Sequence, residues 1–362
     1  RAQGGTVSAF ILAYGEKRGR ALGYLLVAGM VMASSYYLVI IGNVGYMTAY
    51  TMLIGFGGDN NARFLEGLGN EPFQYVISVL VLGAILGVAY RGLNDGIEKV
   101  SKLFVPFFFL VILYLIFITF QLEGATEKMA EFLRPDFSQL DAKSVFAALG
   151  QAAFSVGLGG LIMLVYGSYL SPDTPLLKGA FATALTDTGA ALLAALFIFP
   201  TILVFGISPE AGPTLLFETL PHLFLQMEGG RAIGALFMTS LFLIAFLSGL
   251  AGLEVVITSI SDDAEFNGFT RNRTIVTFGS IQTLVMLLPA LVPDAIGTMD
   301  LIFGSGMQSL GSALALIGLT WCLGKSAVVA EFGSGTVTDW LYLWLRWVVP
   351  FAILAIIGLT FI

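Results

Sequence analysis

Residues 147–170 read AALGQAAFSVGLGGLIMLVYGSYL and form most of an apolar run that extends from residue 144 to residue 169. A run of this length matches the roughly 20 residues that a helix needs to cross the hydrocarbon core of a bilayer. Glycines at 150, 157, 159 and 160 fall in its centre, beside Gln151 and Ser155. The stretch therefore predicts a transmembrane helix that is broken in the middle.

The glycine-rich break allows two interpretations. An unwound centre offers free carbonyls to a cation, and it offers free N–H groups with a half-helix dipole to a carboxylate. Alternatively, the small residues let neighbouring helices pack closely, as in GxxxG pairs. The polar side chains of Gln151 and Ser155 favour the binding site.

Comparable apolar runs recur along the whole chain. Of the 362 residues, 57% are hydrophobic and only 11% are charged, which is too little polar surface to coat a soluble globule of this size. We therefore predict an all-α polytopic membrane protein, with residues 1–362 forming a single transmembrane domain and residues 1–20 a cytoplasmic loop. Its spans, about nine by length, are 21–55, 73–90, 103–120, 144–169, 178–206, 231–260, 274–293, 297–324 and 340–361.

Residue usage argues against several other classes of protein. The single cysteine, Cys322, excludes a disulfide framework, and the single histidine, His222, excludes a multi-histidine metal site. The sequence carries no nucleotide-binding loop, nucleophile elbow or catalytic cluster. We therefore expect a protein that is not an enzyme and that has no nucleic-acid partner; its partners are the lipid bilayer and a small molecule.

Basic residues are divided unevenly between alternate loops. If the segment before the first span is cytoplasmic, that side carries Arg1, Lys17, Arg18, Arg20, Arg91, Lys99, Lys102, Lys178, Arg271, Arg273, Lys325 and Arg346. The opposite side then carries only Arg63, Lys128, Arg134, Lys143 and Arg231. This positive-inside bias predicts a cytoplasmic N-terminus, and an odd number of spans then leaves the C-terminus outside.

Residues 147–170 resemble the sixth helix of the neurotransmitter:sodium symporter family, with its glutamine, its Phe-Ser pair, its glycine-rich break and its Tyr-Gly-Ser-Tyr. Other motifs of that family follow in family order: MASSYYLVIIGNVGYMTAY at 32–50, YRGLNDGIEKVSKLFVP at 90–106, LRPDF at 133–137, ETLP at 218–221, GLEVVITSISDD at 252–263 and MDLIFGSG at 299–306. The chain thus resembles the third to eleventh helices of the family.

The resemblance implies a partial LeuT-type inverted-repeat fold. Residues 21–120 would be the remainder of the first repeat, 144–324 the second repeat and 340–361 the last helix. Because Arg1 falls where the second family helix ends, the first two helices are expected to be missing from this sequence. A truncated record of a complete carrier and a real absence both stay open.

The function implied by the resemblance is sodium-coupled symport of an amino acid into the cell by alternating access, across an inner (plasma) membrane. Na⁺ is then the coupling ion, without an organic cofactor, and coupling to Cl⁻ or H⁺ stays open. The alternative is a transport-inactive membrane fragment or an accessory subunit. The oligomeric state is not defined by the sequence.

The resemblance also assigns roles to individual residues. Tyr37 and Phe154 match the aromatic gate over the substrate, and Asp300 matches the outer gate, while Asp262 with Tyr169 matches the inner one. The hydroxyl ligands expected for sodium are Ser155, Thr186 and Ser248, although Leu247 stands where a second hydroxyl is usual. Two further polar residues within spans are candidates for ion coupling: Gln151 and Asp187.

Small side chains occupy the positions that the resemblance assigns to the substrate pocket. These positions, with the neighbouring Ser155 and Ser248, are Ala33, Gly157, Gly160 and Gly252. Because they remove volume from the wall of the pocket, we predict a large hydrophobic or aromatic amino acid as the substrate.

Overall fold

The computed structural model describes residues 4–157, 161–171, 173–207, 215–263 and 270–360, and the regular structure in these ranges is helical. The α-helices are α1 Thr6–Tyr14, α2 Glu16–Leu53, α3 Asn60–Leu68, α4 Glu71–Tyr90, α5 Lys99–Phe120, α6 Ala125–Leu133, α7 Ala142–Ser155, α8 Ile162–Ser168, α9 Leu176–Val204, α10 Leu220–Gln226, α11 Gly230–Ser261, α12 Arg271–Val285, α13 Leu287–Leu291, α14 Ala295–Met299, α15 Gln308–Ile317, α16 Lys325–Phe332, α17 Thr336–Leu343 and α18 Val349–Thr360. Short π-helical segments are Leu93–Glu98, Leu215–Thr219, Asp300–Met307, Gly318–Leu323 and Trp344–Val348. A 3-10 turn forms Phe137–Gln139.

In the part of the chain that the structure describes, eight helical stretches are long and apolar enough to cross a membrane. They are Glu16–Leu53, Glu71–Tyr90, Asp95–Phe120, Leu176–Val204, Gly230–Ser261, Arg271–Leu291, Ala295–Leu323 and Thr336–Gly358. The remaining predicted span, 144–169, is divided between α7 and α8. The predicted all-α membrane architecture is therefore confirmed.

The break predicted in that span lies between Ser155, where α7 ends, and Ile162, where α8 begins. Gly157 has a φ of +70° and Leu161 a φ of +58°, and both angles lie outside the right-handed helical region. Leu161 is the one non-glycine residue with positive φ in the described ranges. The last two glycines of the stretch, Gly159 and Gly160, lie outside the described residues. The backbone at the break is thus not that of a continuous helix.

The N-terminal segment differs from the loop that was predicted for residues 1–20. Residues 6–14 form α1, and α2 begins at Glu16 rather than at 21. Val7 and Phe10 lie one turn apart on α1 and are 0% and 2% exposed, and the Thr6 amide donates to Ser259 Oγ at 3.0 Å. The prediction was wrong because nine residues are too few to show a helix by periodicity alone. Burial of one apolar face stabilises the helix instead.

Two compact units divide the chain. The first contains Arg1–Tyr37, Leu140–Ala184 and Leu250–Ile362. Within it α15 packs on α18, and α7 packs on α18 through Gly150 and Ile356. The single transmembrane domain and its two repeats, 21–120 and 144–324, stay predictions, and the boundaries of the units do not follow those of the repeats.

The second unit contains Leu38–Gln139 and Leu185–Gly249. Its core is built from large apolar and aromatic side chains: Met47, Tyr50, Phe56, Phe64, Val111, Ile112, Leu115, Phe197, Ile202, Leu220, Leu223, Phe224, Met227, Ile233, Phe237 and Met238. The hydroxyls of Thr119 and Thr201, both fully buried, bond to each other at 2.9 Å between α5 and α9. The two buried hydroxyls thus satisfy each other across the helices, as a water-free interior favours.

Close approach of α2 and α4 in the second unit depends on a glycine. A Cβ placed on Gly42 would lie 2.3 Å from Ser78 Oγ and 3.0 Å from Ser78 Cα. The backbone of α4 thus leaves no room for a methyl group. Gly87, in α4 itself, has nothing within 4 Å of such a Cβ.

Gly42→Ala is expected to destabilise the protein by about 1–3 kcal/mol, since the helices must move apart to admit the methyl group. Gly87→Ala is the matched control, and it should be neutral or stabilising because alanine favours a helix by about 0.5–1 kcal/mol. Size-exclusion profiles of detergent-solubilised protein after heating give the apparent Tm of each variant. Equal Tm values for the two variants would contradict the close contact.

Candidate functional site

The end of α7 carries three of the residues singled out from the sequence. Gln151 and Ser155 are exposed, and Ser155 Oγ donates to the carbonyl of Ala152 at 3.4 Å. Phe154 belongs to the same helical turn, and its side chain lies outside the described residues. The last turn of a helix leaves carbonyls without intrahelical partners and carries the negative end of the helix dipole. The turn that ends at Ser155 is therefore suited to a cation.

The contact between α2 and α11 in the first unit shows what fills the space beside Gly252. A Cβ placed on Gly252 would lie 2.9 Å from Met30 Cε and 3.5 Å from Ser34 Oγ. Ala33, on the same stretch of α2, is 2% exposed. The volume that a larger residue would take at position 252 is thus occupied by the end of a flexible thioether side chain, which repacks readily.

Asp300 opens the π-helical segment Asp300–Met307, and its carboxylate accepts a hydrogen bond from the hydroxyl of Tyr36 at 2.8 Å. A Cβ placed on Gly304 would lie 2.4 Å from Tyr36 Oη and 2.5 Å from Asp300 Oδ1, so only a glycine there leaves room for the pair. Tyr36 is 5% exposed, whereas Tyr37 is half-buried. The predicted outer-gate aspartate is therefore held by Tyr36, a tyrosine that the sequence analysis had not selected.

Glu254 is a fully buried acid on α11, with a side chain that is 1% exposed. Its carboxylate receives a bidentate pair from Arg271, Nη1 to Oε1 at 2.8 Å and Nη2 to Oε2 at 2.7 Å. The hydroxyls of Tyr169 and Thr258 also donate to it, at 2.7 Å and 3.1 Å. The Tyr169 hydroxyl, matched with Asp262 to the inner gate, thus bonds Glu254, and the inner gate itself stays a prediction.

Asp263 is the buried member of the acidic pair that follows α11. Its side chain is 2% exposed, and both of its carboxylate oxygens accept from Arg20 Nη1 at 2.8 Å. The Tyr24 hydroxyl also donates to Oδ2 at 2.5 Å. Arg20 also bonds Glu16 at 2.5 Å. Asp262 is more exposed. Partial burial raises the pKa of its carboxyl, and the hydrogen bond from the Gly5 backbone N–H partly offsets that rise. The ion-paired aspartate at this end is thus Asp263.

The remaining candidates lie in the second unit. Thr186 and Asp187 are on α9, where the threonine is exposed and the aspartate half-buried. Ser248 is exposed on α11, and Leu247 beside it is half-buried. Ser155, the other expected sodium ligand, belongs to the first unit. The sodium ligands thus stay a prediction from the resemblance.

The sequence did hold a signal for the residues that were missed. Glu254 is an acid inside an otherwise apolar span, and such a residue is a functional candidate by default. Its position in GLEVVITSISDD served only to align the segment. Its partner, Arg271, follows seventeen positions later in another helix, so no local spacing rule connects the two.

In the described ranges, eight helical stretches long and apolar enough to cross a membrane, one broken helix and buried ion-paired acids are typical of a multi-pass membrane protein. The model of the sodium:neurotransmitter symporter family matches residues 63–361. The chain belongs to this family of sodium symporters, and its fold is the LeuT type that the sequence motifs predicted.

Similar proteins support the same assignment. An uncharacterized sodium-dependent transporter of Haemophilus influenzae is 27% identical over 366 aligned positions, which cover 94% of this chain and 79% of that protein. The uncharacterized sodium-dependent transporter YhdH of Bacillus subtilis is 29% identical over 355 positions, covering 92% and 78%. The crystal structure of MhsT in complex with L-phenylalanine superposes with a TM-score of 0.86 at 27% identity, covering 99% of this chain and 85% of MhsT.

The two neighbouring aspartates are expected to respond differently to neutralisation. Asp263→Asn breaks a buried ion pair with Arg20 and should cost about 3–5 kcal/mol of stability. Asp262→Asn changes the charge by the same amount at an exposed position, and its free energy of unfolding should stay within about 0.5 kcal/mol of the unaltered protein. The apparent Tm of each purified variant decides between them, and a larger loss for Asp262→Asn would contradict the assignment of the ion pair to Asp263.

The Glu254–Arg271 pair is expected to be asymmetric. Arg271→Gln leaves a carboxylate that is 1% exposed without its counter-ion, whereas Glu254→Gln leaves an arginine that is 31% exposed and can reach water. The arginine variant should therefore lose more stability than the glutamate variant, and the double variant should lose less than the sum of the two. A double-mutant cycle in apparent Tm measures this coupling, and strict additivity would refute it.

Proposed function

We propose that the chain carries an amino acid into the cell together with Na⁺ by alternating access. The observation that carries the proposal is the break between α7 and α8, where Gly157 and Leu161 leave the helical region inside an otherwise membrane-crossing run. Irregular backbone at membrane depth is tolerated only where it is buried in protein or lines a wet cavity. Membership of a sodium symporter family supports Na⁺ as the driving ion.

The proposed sodium site uses hydroxyl and carbonyl oxygens. Ser155 lies in the last turn of α7, and its hydroxyl would turn from the Ala152 carbonyl toward the ion. Thr186 and Ser248 are the other hydroxyls that the family resemblance proposes as sodium ligands. Leu247 has no oxygen to offer, so a second sodium site would depend on Ser248 and on backbone carbonyls. Coupling to H⁺ or Cl⁻ would use Asp187 or Gln151, the polar groups within spans.

The proposed substrate is a large hydrophobic or aromatic amino acid. Ala33, Gly157 and Gly252 leave room along the proposed pocket, as does Gly160, and Met30 is the side chain that would move aside for a ring. Tyr37 and Phe154 would close over the substrate. MhsT, which shares the fold at a TM-score of 0.86, was solved in complex with L-phenylalanine.

Three hydrogen-bonded acids are proposed to control access: Asp300, Asp263 and Glu254. Asp300, held by Tyr36, would close the outer side, whereas Asp263, held by Arg20, would close the inner side together with the Glu254 cluster. This assignment follows the orientation predicted from the basic residues, with the N-terminus in the cytoplasm and the C-terminus outside, in an inner membrane. Opening either side then requires an acid to exchange its partners for water.

Uptake into proteoliposomes under an inward sodium gradient tests the proposal. Labelled phenylalanine should accumulate with the Na⁺ gradient and should not accumulate when potassium replaces sodium. Unlabelled tryptophan, tyrosine and leucine should compete better than alanine and glycine. Failure to take up any amino acid would defeat the symport proposal. Better competition by alanine would defeat only the prediction that the substrate is large.

Gly252→Val tests the pocket itself. The added methyl groups meet Met30, so phenylalanine should lose about tenfold or more in competition, and alanine much less. Gly87→Val is the matched control, because nothing lies within 4 Å of its Cβ. The same loss for both amino acids in Gly252→Val would show that position 252 does not determine the size of the substrate.

A further inference from the structure

All four tryptophans of the chain fall between residues 321 and 347: Trp321, Trp340, Trp344 and Trp347. Their side chains are 47%, 71%, 58% and 44% exposed. Exposed indole rings on membrane-crossing helices are typical of the headgroup region, where the ring is half in lipid and the N–H reaches polar groups. The segment therefore marks one membrane interface of the first unit.

Arg346 lies among these rings. Its guanidinium carbon is 4.9 Å from the ring centroid of Trp321 and 5.6 Å from those of Trp347 and Tyr342, at distances typical of cation–π contacts. The Trp321 indole N–H donates to the Arg346 carbonyl at 3.1 Å, and Arg346 Nη1 donates to the Tyr342 hydroxyl. The arginine is thus held in place by aromatic groups.

The positive charge of Arg346 has no carboxylate partner within the described ranges. The acid that precedes it on the same helical stretch, Asp339, is bound to Lys325 at 2.8 Å. Arg346 is half-buried, and a guanidinium carries five N–H donors, more than the tyrosine hydroxyl can satisfy. A charge on a membrane-crossing helix is costly unless an opposite charge compensates it. The site therefore calls for an anion.

The depth of the guanidinium fits a lipid headgroup. Side chains on a helix tilt toward its N-terminus, and Arg346 reaches back to Tyr342, one turn earlier. Tyr342 lies only about 5 Å along the helix beyond Asp339. Asp339 and Lys325 form an ion pair with side chains 54% and 51% exposed, which we expect on the water side. Deeper along the same stretch lie Trp347 and Phe351, stacked at 6.2 Å and both exposed. The charged guanidinium thus lies at the level of a phospholipid headgroup, and the apolar rings lie at the level of its acyl chains.

We propose that Arg346, supported by Trp321 and Trp347, binds the phosphate of an anionic phospholipid in the leaflet at this end of the helices. The guanidinium provides donors for the phosphate oxygens, and the exposed rings below it provide surface for an acyl chain. A soluble anion would meet the same charge but would leave those rings uncovered, so the lipid is the better occupant. This binding does not depend on transport and is separate from the substrate site.

The four tryptophans make the site its own reporter. The 362-residue chain is reconstituted into liposomes, and quenching of its tryptophan fluorescence is measured with phosphatidylglycerol or phosphatidylcholine brominated in the acyl chains. The relative binding constant should favour phosphatidylglycerol about fivefold, the factor expected for one basic residue near an anionic lipid surface. Equal quenching by the two lipids in the unaltered protein would overturn the proposal.

Arg346→Gln should abolish this preference, and Arg346→Lys should retain part of it because the charge stays. Lys102→Gln is the matched control, because it removes one positive charge from an exposed position outside the tryptophan segment and should leave the preference unchanged. If Arg346→Gln does not fold, a fall of the preference in Arg346→Lys supports the proposal, and an undiminished preference overturns it. Competition by soluble glycerol phosphate would assign the site to a free anion and overturn the lipid proposal.

Discussion

The need to pair every backbone N–H and C=O inside hydrocarbon governs most of this structure. Only helices satisfy that need within a single segment, and the described residues accordingly contain eight helical stretches that can cross a bilayer. The same requirement gives the break between α7 and α8 its meaning. At Gly157 and Leu161 the backbone leaves the helical region, and its polar groups need partners from elsewhere. A site for an ion and a polar substrate is a natural source of such partners.

Charged side chains obey the same requirement. Glu254 and Asp263 are both almost fully buried, and each is held by an arginine and by hydroxyl groups. Asp300 is more exposed and is held by Tyr36. Arg346 differs, since its contacts among the described residues are aromatic rings and a hydroxyl. Glu254 and Asp263 are thus neutralised by arginines of the chain itself, whereas the charge of Arg346 can be compensated by an anion from outside the chain.

Several features could be predicted because they depend only on residues that are near one another in the sequence. The glycines around Gly157 weaken a helix wherever they occur, so the break was visible before the fold was known. Apolar runs of bilayer length predicted the spans for the same reason. Helix α1 was missed, since nine residues show no clear period. Its stability comes from the burial of Phe10 and from the bond of the Thr6 amide to the distant Ser259. The bounds of α2 were misplaced where charged residues continue a helix beyond its apolar part.

The choice between adjacent residues also lay beyond the sequence. Tyr36 and Tyr37 share a motif, but successive residues on a helix point about 100° apart. Asp262 and Asp263 also share a motif, and they follow the end of α11. That Tyr36 meets Asp300 and that Asp263 meets Arg20 depends on helices that lie hundreds of positions away in the chain. By itself the sequence determined that the chain lies in a lipid bilayer, which family it resembles and where the helix breaks. These features depend on composition and on glycines within short segments. Only the tertiary structure decided that Arg20 pairs with Asp263 and Arg271 with Glu254, because those contacts exist only after distant helices pack.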